Sequence, residues 1–152
     1  MTTTTPASRL PFDTAFAAEC LKTPPPEALQ EDFIRYAADL AWWGERLAES
    51  KREVALCELA VVEAKAAADV EVRAELEATK RKATVDAIDM AVRRSPGYVA
   101  AQRQLIEAEF HEGRVRAVVD GLRAKRDMLV GLGAQFRAEL NGDPVLKYTP
   151  GL

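Results

Sequence analysis

Few residues here are of a type that does chemistry, and their spacing argues against most reactions. A single histidine, His111, stands in a chain of 152 residues, which excludes most imidazole acid–base chemistry and any His-rich metal site. His111 lies one helical turn after Glu107, so both would face one ion. One imidazole and one carboxylate are too few ligands, however, and the histidine reads as a surface residue. Cys20 and Cys57 show no CxxC spacing and have no third ligand nearby, so free thiols in a reducing compartment are expected. No Ser/His/Asp or Cys/His set can be assembled. No GxxxxGK[ST] or GxGxxG stretch offers backbone N–H groups to a phosphate. The chain reads as a non-enzyme with no metal and no cofactor.

Basic residues are the exception. The net charge is only −3, yet residues 80–127 hold eleven Lys/Arg against seven Asp/Glu, while the remainder holds ten against seventeen. Lys80, Arg81, Lys82, Arg93 and Arg94 form one group, and Arg114, Arg116, Arg123, Lys125 and Arg126 a second. Phosphate binding requires several cations on one surface, because affinity grows with each counterion released. Tyr98 follows the first group and offers a ring on which a base would stack. A solvated helix face carrying charge for solubility is the competing explanation.

The elements that would position these groups are long helices. Alanine supplies 27 of the 152 residues and aromatics only 7%, a balance that favours extended helices over a thick core. Residues 1–11 are Thr-rich and Pro-bounded, without periodicity, and residues 1–25 read as a flexible tail containing a possible short helix. Asp13 would cap that helix over Thr14–Lys22, with Phe12 and Phe16 as its apolar contacts. After Pro24-Pro25-Pro26, apolar residues step by four and three through Leu29, Phe33, Tyr36, Leu40, Trp43, Leu47, Ser50, Val54, Cys57 and Val61, and Ala64 and Ala68 continue the stripe. A helix of some fifty residues, about 75 Å long, is expected.

Trp42-Trp43-Gly44 has the W-x-G form found in turns of small secreted helical hairpins. The stripe runs through it unbroken, so Trp43 is read as core and Trp42 as a contact between subunits. Gly44 costs about 1 kcal/mol inside a helix. Thr84 would cap a helix over Val85–Arg94, and Ser95-Pro96 starts another. A second stripe follows at Ala101, Leu105, Ala108, Glu112, Val115, Val119, Leu122, Arg126, Leu129, Gly133, Phe136 and Leu140, ended by Asn141-Gly142 and Pro144. Gly113, Gly121, Gly131 and Gly133 interrupt it, permitting close helix approach or a bend.

The expected fold is all-α: a long antiparallel helical hairpin over residues 26–141 with a short connecting helix, then a tail over 142–152. Two helices cannot shelter everything apolar on them. Ile34, Ala37, Leu59, Val62, Ile106, Phe110, Val118 and Leu132 are left over, so a homo-oligomer is expected. Its candidate interface residues are Leu29, Phe33, Tyr36, Leu40, Trp42, Trp43, Leu47, Phe110, Leu122, Leu129 and Phe136. No apolar run approaches the roughly 20 residues that span a bilayer, and no secretory leader opens the sequence, so an intracellular protein without membrane contact is expected.

Three stretches carry a resemblance. K-R-K-A-T-V-D-A-I-D-M-A-V at Lys80–Val92, S-P-G-Y at Ser95–Tyr98 and A-K-R-D-M-L-V-G-L-G-A-Q-F-R at Ala124–Arg137, with Tyr36-Ala37-Ala38-Asp39-Leu40 upstream, look like UvsY-type bacteriophage recombination mediators. The resemblance covers about 110 residues, from Phe33 to Leu140. It implies a small helical protein that forms rings, binds single-stranded DNA and helps a RecA-like recombinase displace single-strand-binding protein, in the cytoplasm of a bacterial host. A ring would repeat the basic group in every copy and make a weak patch multivalent. The DNA-binding candidates Lys80, Arg81, Lys82, Arg93, Arg94 and Tyr98 rest on charge and position alone. The rival reading is a coiled-coil assembly protein, a phage structural or chaperone-like component acting through protein contact only. A regulator of a DNA-bound partner would sit between the two.

Overall fold

Amphipathic periodicity sustained over many turns has one outcome here. A computed structural model describes residues 12–140, and every element among them is helical. Helix α1 spans Thr14–Leu21, a 3-10 turn Pro26–Ala28, α2 Leu29–Ala78, α3 Val85–Arg94 and α4 Pro96–Leu140. The expected tails at 1–11 and 142–152, and the stop at Asn141-Gly142, lie outside the described residues.

Local chemistry sets the boundaries. Asp13 Oδ1 accepts from the Phe16 N–H at 2.9 Å and starts α1. Thr84 Oγ1 accepts from the Ala87 N–H at 3.3 Å and starts α3, and Ser95 Oγ accepts from the Tyr98 N–H at 3.3 Å and starts α4. At the end of α2, Arg81 N–H donates to Leu76 O at 3.0 Å and Lys80 N–H to Glu77 O at 3.1 Å. That pair of bonds is a Schellman cap, and Lys80 occupies its left-handed position at φ 51°.

The helices pack as two compact units, one of the described residues up to Gly44 with those from Ala117 onward, the other Glu45–Arg116. Both long helices run through each. In the first unit Leu122 and Leu129 are 0% exposed and Trp43 2%. In the second, Ala101, Ala108 and Val115 of α4, Ala68 of α2 and Val92 of α3 are buried. Lys65 Nζ of α2 meets Asp89 Oδ1 of α3 at 3.8 Å.

Both stripes face inward. On α2 every member from Leu29 to Ala68 is buried or half-buried except Phe33, and on α4 the same holds from Ala101 to Phe136 except Arg126. The polar members find local solutions. Ser50 Oγ donates to Leu47 O at 3.0 Å, and the buried Glu112 takes Arg116 at 2.6 Å. Arg126 turns outward to Asp127 at 2.8 Å.

The short helix expected within residues 1–25 is α1, and it is docked. Phe16 lies 5.9 Å from Trp43 in a stacked arrangement and 5.2 Å from Trp42 edge-on, and Phe12 lies 5.6 Å from Trp43. The same helix covers a second face of α4. A Cβ at Gly121 would meet Leu21 Cδ2 at 2.8 Å, so the glycine permits the close approach its small size suggested. Gly133 faces Phe33 at 3.8 Å, whereas Gly113 and Gly131 border open space. With α1 in place Val118 is buried and Leu132 half-buried; Ile34, Ala37, Leu59, Val62, Ile106 and Phe110 stay exposed.

Lys125 ties this arrangement together. Its ammonium, 5% exposed, meets Asp32 of α2 at 2.6 Å and donates to the Cys20 carbonyl at the end of α1 at 2.9 Å. One buried cation thus answers a carboxylate and a helix-terminal carbonyl that would otherwise lack a partner.

Candidate nucleic-acid interface

The two basic groups read from the sequence meet different fates. In the second, every member is engaged within the chain. Arg116 pairs with Glu112, Arg123 with Asp120 at 2.9 Å, Arg126 with Asp127, and Lys125 with Asp32. Arg114 lies over the Phe110 ring at 5.8 Å. A cation beside a carboxylate adds less net charge to a phosphate-binding surface than one without such a neighbour, so this group is the weaker candidate.

The first group is divided by α3. Lys80, Arg81 and Lys82 lie in the turn before that helix, and Arg93, Arg94 and Tyr98 lie at and beyond its end. Ten residues of helix place the two sets about 15 Å apart, so the single cluster expected from sequence becomes two. Arg93 Nε is held by Asp89 at 2.7 Å, an i, i+4 pair on an exposed face. Tyr98 is half-buried, and its hydroxyl accepts from Gln102 Nε2 at 3.1 Å, which withdraws part of the ring from a stacking role. Lys80, Arg81, Lys82 and Arg94 are exposed and make no ion pair among the described residues.

The Lys80–Lys82 turn is therefore the outstanding feature. Two cap hydrogen bonds fix its backbone, and three adjacent cations project from it. Their charge also sits at the negative end of the α2 dipole, where cations are favoured. A left-handed lysine costs about 1–2 kcal/mol relative to glycine at the same place.

Of the residues expected at a subunit interface, three are corrected. Trp43, Leu122 and Leu129 are fully buried inside one chain and have no surface to offer. Leu29, Tyr36, Leu40, Leu47 and Phe136 are half-buried on the inward stripes. Phe33 and Trp42 are just over a third exposed, and Phe110 is 64% exposed. Sequence reasoning missed Lys125 as a structural residue, since a lysine among arginines reads as surface charge. The signal was its spacing from Val118 and Gly121, which puts all three on one face of α4.

No family model matches the chain, and no curated protein or solved structure gives a match. Among the described residues no three of His, Cys, Asp and Glu converge to hold a metal ion, and no helix is long and apolar enough to cross a membrane.

Proposed function

We propose that the protein is a single-stranded-DNA-binding recombination mediator that helps load a RecA-like recombinase onto DNA covered by single-strand-binding protein. The observation that carries the reading is the Lys80-Arg81-Lys82 turn, rigidly capped, unpaired and exposed, in a chain whose second basic group is internally neutralised. Two long helices complete the proposal as an antiparallel hairpin. Early α2 shares a unit with late α4, and late α2 shares the other with early α4, which supports that direction. The chain then works as a homo-oligomer, a ring in form, within a phage-infected bacterial cytoplasm.

The test is a fluorescence-anisotropy titration of a labelled single-stranded oligonucleotide across a salt series. Binding is expected to weaken steeply with salt, as about three to five phosphate contacts require. Lys80→Ala/Arg81→Ala/Lys82→Ala should lower the log–log salt slope by about 2, at about 0.7 per contact to a single strand, while the oligomer persists. Absence of binding by the assembled wild-type protein at low salt overturns the proposal.

One observation favours the second reading, an assembly protein acting through protein contact alone. Ile34, Leu59, Val62, Ile106 and Phe110 are all more than half exposed, and apolar residues spread over helix faces serve association rather than phosphate binding. Association that barely responds to salt, without any DNA binding, is the outcome belonging to it.

A further inference from the structure

Helix α2 carries a second apolar stripe on the side away from its packed one. Ala55, Leu59, Val62 and Ala66 are all exposed, with Leu59 and Val62 at 54% and 65%. They step by four, three and four, and lie roughly half a turn around the helix from Val54, Cys57, Val61 and Ala64. One further step of three on each side reaches Arg52 and Asp69, both in the same unit as the stripe. The six positions read the same in spacing from either end, with a cation at one end and an anion at the other.

We infer that this face is the contact between two copies of the chain, which lay their α2 helices antiparallel about a two-fold axis between Leu59 and Val62. In that register Leu59 meets the partner's Val62, Ala55 meets the partner's Ala66, and Arg52 meets the partner's Asp69, each pair occurring twice. Glu58 then flanks the partner's Lys65, an attractive pair on one side, while Glu63 on the other lies beside the partner's Leu56 without a like charge. A parallel pairing would set Arg52 on Arg52, Asp69 on Asp69 and Glu58 near Glu63. That arrangement is repelled at every polar position. Small residues at both ends of the stripe allow close approach of the two helices. Asp69 already holds Arg73 at 2.7 Å, but an exposed i, i+4 pair contributes little and leaves its second oxygen available. The two Lys80–Lys82 turns would then lie at opposite ends of the paired helices, roughly 60 Å apart along them.

This specifies how the self-association proposed above is built, and it stands or falls separately from DNA binding. The test is sedimentation velocity on the full chain and on Arg52→Asp, Asp69→Arg and the double variant, with circular dichroism to show that each remains helical. Each single reversal places two like-charge pairs in the interface and should weaken association about tenfold or more. The double variant restores both pairs and should return to within about threefold of wild type. Indifference of association to either reversal overturns the inference, as does a double variant no better than the singles. A monomeric wild-type chain overturns both this inference and the proposed self-association, whatever the DNA titration shows.

Discussion

A lysine at the left-handed position that ends α2 bears a backbone cost that glycine would not. Lys80→Gly is expected to raise stability by about 0.5–1 kcal/mol, the left-handed cost less the extra chain entropy that glycine loses on folding, read as a shift in the urea midpoint with unchanged slope. The same substitution removes one cation from the candidate DNA surface, so stability and binding should move in opposite directions. Lys125 is the reverse case, a charge whose removal harms the fold. Lys125→Met leaves Asp32 and the Cys20 carbonyl without their partner and should cost about 3 kcal/mol, at the lower end for a broken buried pair because Asp32 keeps some contact with water. Adding Asp32→Asn should recover part of that loss in a double-mutant cycle.

Among the elements, α3 and the start of α4 were legible to the residue, because Thr84, Ser95 and Pro96 are helix signals that act through adjacent backbone groups. Both long stripes were legible for the same reason: periodicity is a local property. The docking of α1 was not. Nothing in the spacing of Phe12 and Phe16 names Trp43 as their partner, and the α4 residues that meet the end of α1 include a lysine, Lys125. Basic character was readable residue by residue, but which cations are matched by carboxylates depends on rotamers and helix faces, so the second group looked as able as the first. Cys20, on the buried face of α1, reports on that docking. Burial pushes its thiol above the ordinary 9.0, the Trp43 indole N–H pulls it partly back and the Asp39 charge adds to the rise. A thiol harder to ionise in the fold contributes stability that is complete below pH 9.0 and is lost as pH climbs through the raised native value. Iodoacetamide should therefore modify the half-buried Cys57 of the native protein well before Cys20, as counted by intact-mass spectrometry. Equal rates would mean that α1 opens on the time scale of labelling.

At the scale of the whole molecule, helices of 50 and 45 residues leave apolar side chains such as Ile34, Val62 and Phe110 exposed. The same two helices set a limit on how the protein can be taken apart. Each compact unit contains a stretch of α2 and a stretch of α4, and no loop separates the units on either helix. A cut between Gly44 and Glu45, or between Arg116 and Ala117, falls inside a continuous ladder of backbone hydrogen bonds and leaves four C=O groups without partners at one new end and four N–H groups at the other. Neither unit is therefore a module in the genetic sense. A crossover in the turn after α2, at Arg81 and Lys82, interrupts no helix but falls within the cationic turn itself.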